Sequence, residues 1–285
     1  MKPASKSWWA WALVLPFLLW NLTFVMIPLA TVLVQGLYPI SGEWVVSEKP
    51  SLENFRLALD AANLKVVGRS ALYAAATTVC CLLLGYPLAY FIAFYGGRFR
   101  SQLLILVVLP FWTSYLVRTF SWMTLLQTEG VVNGLLLRLH ILDQPLQLLN
   151  TPYSVILGLT YGFLPFATLP IYVSLEHQDR SLVEAAQDLG ASSWQAFWKV
   201  VFPLSVPGVV SGSLITFVPA MGDFVSADIL GGPETQMIGN LIQQQFLSLF
   251  NWPMGSALSL VLMLLMVASM AIYVRLAGGG ESART

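Results

Sequence analysis

Charge is what this sequence has least of. Only 10% of its 285 residues are Asp, Glu, Lys or Arg, and the two signs cancel at 14 each. Soluble domains carry about a quarter charged residues, so a chain this poor in charge cannot cover itself with a water-facing surface. The balance of signs gives no hint of nucleic-acid binding. Cysteine is nearly absent: Cys80 and Cys81 are adjacent within an apolar run. That excludes a disulfide framework, and the pair lacks the spacing of a metal site, so both read as small packing residues. There is no Gly-Lys dipeptide, hence no phosphate-binding P-loop, and no G-x-S-x-G. His177 follows Glu176 without the second histidine of a zinc motif. No catalytic residue and no metal ligand is assigned.

What the chain has instead is apolar length. Hydrophobic residues make up 57% of it, and the mean hydropathy is +0.73. A bilayer core about 30 Å thick needs about 20 mostly apolar helical residues per crossing. Six segments qualify, at 11–34, 71–95, 103–126, 152–175, 204–228 and 254–276. The expectation is an all-α membrane protein of about six transmembrane helices, forming one domain over 1–285 without internal repeats. The stretch Trp8–Val34 is longer than a signal-peptide core and lacks a small-x-small cleavage site, so it reads as a retained first helix. The patch Val131–Leu142 is shorter and carries Asn133, Arg138 and His140. It is expected at the interface rather than across the membrane.

Lys and Arg in short loops set orientation. Arg98 and Arg100 lie between spans 2 and 3, Arg275 and Arg284 in the tail, Lys2 and Lys6 at the start, whereas 229–253 has neither residue type. Both termini and the loops 96–102 and 176–203 are therefore expected in the cytoplasm. The region 35–69 blurs the asymmetry, with Lys49, Arg56, Lys65 and Arg69 beside Glu43, Glu48, Glu53 and Asp60. Prolines recur within the spans, among them Pro110, Pro165, Pro170, Pro207 and Pro219. Each removes a helix hydrogen bond, and two apiece in spans 4 and 5 suggest broken helices beside a pathway.

The loop 176–203 carries the most specific pattern, Arg180-SLVEAAQDLGASSWQAFWKVVFP-Leu204. Ser181 and Glu184 have capping-box spacing, Gly190 supplies a left-handed stop after Leu189, and Ser192 with Gln195 has the spacing of a second box. Two short helices bent at a glycine are expected, the second ending before Pro203. The first is two-faced, with Leu182, Val183, Ala186 and Leu189 on one side and Glu184, Gln187 and Asp188 on the other. A helix too short to stand alone needs something to dock into.

Glu184-Ala185-Ala186, then Gly190, then Val200 and Pro203, resembles the EAA loop of ABC-importer permeases. The resemblance implies a cytoplasmic coupling helix in which Glu184, Ala185, Ala186, Leu189 and Gly190 engage an ATPase subunit and carry its closure to the membrane helices. Leu109-PFWTSYLVR-Thr119, Val218-PAMGDFVSADILGG-Pro233, Met237-IGNLIQQQF-Leu247 and Asn251-WPM-Gly255 look like the permease subunits of polyamine (spermidine/putrescine) importers. Branches that move phosphonates or oxyanions share much of this scaffold. The resemblance implies a bacterial inner membrane, a second permease (a relative or a copy), two ATPase subunits and an extracytoplasmic solute-binding protein. It also implies that no cofactor binds this subunit, ATP and Mg²⁺ belonging to the ATPases.

Arg118 is the cation well inside a span. A straight helix from Leu103 would place it about 22 Å from the cytoplasmic side. Intramembrane charges are rare and face a cavity or partner. Arg118 is read either as locked to an acid, foremost Asp223, or as held by carbonyls that prolines free. Asp223, Asp228 and Glu234 stand at the outer end of span 5, where they would attract a cation. Trp112, Tyr115 and Tyr161, with Phe120, Trp122 and Phe163, concentrate in the same half. They read either as cation–π lining for an organic ammonium or as an interfacial aromatic belt. An ion-coupled transporter or channel would not need the EAA loop, and an intramembrane enzyme would need convergent catalytic groups at span depth, which do not appear.

Overall fold

A computed structural model describes residues 8–41, 45–46 and 49–278. Lys2, Lys6, Glu43, Glu48 and Arg284, used above for orientation, lie outside the described residues. In chain order the helices are α1 (Trp8–Asn21), α2 (Ile27–Gly36), α3 (Glu53–Ala58), α4 (Ala61–Tyr95), α5 (Arg100–Val108), α6 (Tyr115–Leu126), α7 (Val131–Arg138), α8 (Pro152–Glu176), α9 (Arg180–Asp188), α10 (Ser193–Ala196), α11 (Phe202–Gly222), α12 (Val225–Leu230), α13 (Ile238–Gln243) and α14 (Trp252–Gly278). A two-strand ladder pairs β1 (Ile40–Ser41) antiparallel with β2 (Val45–Val46). Five helices among the described residues are long and apolar enough to cross a membrane, and a sixth crossing follows if the bent pair Gly97–Trp112 and Tyr115–Arg138 is one span.

Several expected boundaries move. The second span does not start at residue 71: α4 begins at Ala61 and runs 35 residues, about 52 Å and longer than the bilayer core. The third span is not one helix over 103–126. The chain passes through a tight turn at Leu109–Trp112, Thr113 and Ser114 are extended with ψ of 148° and 136°, and the two halves meet at 88°. Pro110, at the start of that turn, has no N–H to continue the ladder. The straight-helix depth given to Arg118 therefore does not hold. Spans 4 and 5, expected to break, instead run continuously through Pro165 and Pro170 and through Pro207 and Pro219.

The fifth span also begins and ends elsewhere. Pro203 does not stop a short helix: Ser193–Gly222 is one run, joined by a π-helical turn at Phe197–Val201. There Phe202 N–H donates to the Phe197 carbonyl, five residues back, and the widened turn absorbs the donor that Pro203 lacks. The run ends at Gly222, with Asp223 extended at ψ 126°. The span thus stops short of residue 228, and the short α12 follows it.

The chain separates into two compact units, 1–64 with 242–264 and 65–241 with 265–285. In the first, Gly36 packs beneath the Phe55 ring and Asn54 Nδ2 donates to the Gly36 carbonyl at 3.0 Å. In the second, α8 lies directly on α11. A Cβ on Gly208 would stand 2.7 Å from the Pro170 carbonyl oxygen, and one on Gly212 would stand 2.8 Å from that of Ala167. Gly208-Val-Val-Ser-Gly212 is a small-xxx-small stripe, which lets two membrane helices touch backbone to backbone. That contact keeps α8 and α11 continuous although each proline costs a hydrogen bond. Buried Cys81 and half-buried Cys80 pack on α4, with Cys81 Sγ 3.5 Å from the Thr160 carbonyl.

Candidate functional site

Arg180 to Val201 forms an anchored elbow. Asp179, in extended conformation, caps α9 by accepting the Ser181 N–H at 2.9 Å. That bond holds its carboxyl below the usual carboxylate range. The expected Ser181–Glu184 box is not the cap, because the helix starts at Arg180, two residues earlier than that box would set it, and Asp179 fills the role. Gly190 has φ +88°. Its N–H donates to Gln187 at 2.8 Å and that of Ala191 to Ala186 at 3.0 Å, the paired bonds of a Schellman motif. Ser192 and Gln195 close a reciprocal capping box that opens α10.

The faces of α9 differ in part from the sequence reading. Val183 packs on the core of Ala93, Ile171, Leu175 and Val201, and Ala186 is half-buried. Leu182 and Leu189, expected on that same buried side, are 48% and 90% exposed. Glu184 and Ala185 are exposed with them. The contact buries two positions of α9 only, and the outer leucines are left uncovered.

Below the elbow, Arg180 Nη2 donates to the Ala93 carbonyl at 3.0 Å. Arg100 donates to the same oxygen at 2.8 Å and to Glu176 at 2.6 Å. Phe197 sets its ring edge-on to Tyr86 and Tyr90, at 5.8 and 5.6 Å, and the Tyr86 hydroxyl bonds Ser205 Oγ at 2.8 Å. The ends of α4, α8 and α11 are thus tied to the elbow.

A cleft of about 620 Å³ brings Asp228 and Glu234 together with Gln147, Asn150, Gln236 and Asn240. Its wall is pinned from both sides. Arg69 donates through Nε to the Gln236 carbonyl at 2.7 Å and through Nη1 to that of Glu234 at 2.5 Å. Ser70 Oγ accepts the Ile238 N–H at 2.7 Å, and Ser154 Oγ donates to the Leu230 carbonyl at 2.8 Å. Sequence reasoning missed Arg69, Ser70, Ser154 and Asn240. The one available signal was Arg69, a cation at the start of a span. From Arg69 to Ala93 α4 rises about 36 Å, so cleft and elbow occupy opposite ends of the same helix.

Between these ends lies the break in the third span. Arg118 Nη1 donates to the Pro110 carbonyl at 2.8 Å, and the guanidinium sits 5.1–5.7 Å from the rings of Tyr115, Phe111 and Tyr161. Of the two readings of Arg118, the carbonyl is the one realised. The guanidinium makes no ion pair with Asp223 among the described residues. Asp223 instead accepts the Tyr115 hydroxyl at 2.5 Å and the Ser226 N–H at 2.7 Å. Trp112 is 79% exposed and stands apart from this group. Tyr161 packs edge-on against Trp122 at 5.5 Å, and both line a cavity of about 280 Å³ with Arg118. Asp223 is not among the residues that line the cleft holding Asp228 and Glu234.

A family model described as the binding-protein-dependent transport system inner membrane component matches residues 85–278. The chain is 40% identical to the spermidine/putrescine transport system permease protein PotB of Haemophilus influenzae, over 90% of each chain. It is 38% identical to the PotB protein of Escherichia coli, over 90% of this chain and 93% of that one. Among solved structures, a chain of a bacterial alginate ABC transporter, in complex with its alginate-bound periplasmic protein, superposes with a TM-score of 0.79. At 18% identity over 95% of this chain and 94% of that one, it shows a shared fold.

Proposed function

The chain belongs to the family of binding-protein-dependent transport system inner membrane components, and from that premise we propose that it is the polyamine-moving permease subunit of an ABC importer. What carries the substrate class is the 40% identity with a spermidine/putrescine permease along 90% of both chains. The acidic cleft of Asp228 and Glu234 supports it chemically. A dication leaving water loses hydration, and fixed carboxylates replace part of it. In this reading Arg118 stays out of the solute's way, its guanidinium held by the Pro110 carbonyl and three aromatic rings.

In this reading the elbow with Glu184, Ala185, Ala186, Leu189 and Gly190 faces the cytoplasm and docks into an ATPase subunit. Leu189 and Leu182 are the apolar knobs of that contact. Two ATPases bind ATP and Mg²⁺, and this subunit performs no chemistry. A second permease, related or identical, completes the path. A solute-binding protein delivers cargo at the opposite end, where Asp228 and Glu234 meet it, and both chain termini lie in the cytoplasm. Tyr161 and Trp112 are placed on the route as cation-facing aromatics.

The test is uptake by vesicles reconstituted with the whole complex, comparing labelled spermidine and putrescine with a phosphonate. ATP-dependent spermidine uptake that weakens in Asp228→Asn, with assembly unchanged, is expected. Uptake of the phosphonate alone, indifferent to Asp228→Asn, would remove the polyamine assignment and leave the importer standing.

A further inference from the structure

We propose that Tyr115 and Asp223 form a latch joining the two interrupted spans, and that Asp223 acts by holding this latch rather than by touching the transported solute. Both spans are interrupted where these residues stand. Tyr115 is the first residue of α6, immediately after the extended Thr113–Ser114, and Asp223 closes α11 just before α12. Neither break is bridged by helix hydrogen bonds, so side chains must carry the connection.

They do so with every group engaged. Asp223 Oδ2 accepts the Tyr115 hydroxyl at 2.5 Å, and Oδ1 accepts the Ser226 N–H at 2.7 Å. Ser226 Oγ lies 2.7 Å from the same tyrosine oxygen. One carboxylate thus binds the start of α6 and the first turn of α12. On its other side the Tyr115 ring is stacked by Arg118, which holds the Pro110 carbonyl before the break. A Cβ on Gly162 of α8 would come within 3.3 Å of that ring, so it has no room to swing that way. The chain of contacts from Pro110 through Arg118 and Tyr115 to Asp223 and Ser226 makes the segments beyond both breaks move as one piece. A carboxylate with both oxygens bound by protein donors is a poor ligand for a passing cation. Asp228, exposed in the cleft, accepts no such bonds among the described residues and remains the acid that meets solute.

The solute half of this inference rests on the polyamine reading, but the latch can be tested without it. Tyr115→Phe, Asp223→Asn and the double variant are made in the intact complex, and its thermal unfolding midpoint and spermidine uptake are measured. For a latch, the double variant loses no more stability than the worse single one, since both remove the same bond. Maximal uptake falls about tenfold in each single variant while the half-saturating spermidine concentration stays within about twofold. Asp228→Asn does the reverse. Strictly additive stability losses, or a wild-type phenotype for the ring-preserving Tyr115→Phe, overturn the latch. A raised half-saturating concentration with intact maximal uptake in Asp223→Asn overturns its positioning role. If the wild type takes up no spermidine, the polyamine reading fails while the stability cycle still decides the latch.

Discussion

Arg100 and Arg180 donate to one and the same oxygen, the Ala93 carbonyl, at 2.8 and 3.0 Å. Ala93 is in the last turn of α4, where carbonyls have no helical N–H to accept, and two guanidinium groups take that place. Arg180 opens α9 and Arg100 opens α5, so one carbonyl ties the elbow to two spans. Replacing either arginine by alanine should leave the oxygen bonded, whereas the double replacement orphans it. The double variant should lose about 1–3 kcal/mol more than the two singles together. A stability cycle on the purified complex measures this, and simple additivity would refute the shared acceptor.

The proposed coupling role rests on the bend as well as the anchor. Gly190→Pro removes the only residue of the turn with φ +88° and deletes the N–H that Gln187 accepts. Glu184→Lys reverses charge on an exposed position of α9. Each should abolish uptake by the reconstituted complex while the chain still inserts and assembles. Uptake-coupled ATP hydrolysis at wild-type rate in either variant would contradict the coupling role.

The close approach of α8 and α11 gives a graded steric test. Gly208→Val should prevent accumulation of folded protein, since its Cβ would meet the Pro170 carbonyl at 2.7 Å and Ser174 Cβ at 2.5 Å. Gly68→Ala on α4, where a Cβ meets nothing within 4 Å, should be tolerated. Yield and gel-filtration profile of the two variants, side by side, check the pair. Equal behaviour would mean that the contact does not hold the bundle.

Orientation is read by accessibility. A cysteine at Gly97, between α4 and α5, should react only with reagents that reach the cytoplasm, and one at Glu234, in the cleft wall, from outside. Labelling of the Glu234→Cys variant solely from inside would invert the topology. Background labelling is limited by the buried Cys81 and half-buried Cys80.

Much of the architecture was legible before any coordinates. Apolar length located the spans within a few residues at Pro152–Glu176 and Trp252–Gly278, because the bilayer sets one length for all of them. Gly190 and the Ser192–Gln195 box were readable for a related reason: caps and left-handed turns depend on residues three or four positions apart. Gly208-x-x-x-Gly212 was equally local, and attention to small-residue spacing would have found the α8–α11 contact. The cap on α9 was misread by two residues, since Asp179 and Ser181 are both good N-cap residues and the sequence does not rank them.

Local pattern therefore determined the all-α membrane class with its five to six candidate crossings, the elbow and the family. Only the tertiary structure decided where the spans interrupt, what holds Arg118 and which acids share a cleft. Proline marks a missing N–H, but whether a helix breaks there depends on what packs against it: α8 continues through Pro165 and Pro170 against the bare backbone of Gly208 and Gly212, while the third span turns by 88° after Pro110. The partner of a charge is likewise a matter of distance through space. Tyr115 and Asp223 are 108 residues apart in sequence and 2.5 Å apart between oxygens, and no periodicity along the chain encodes a contact of that range.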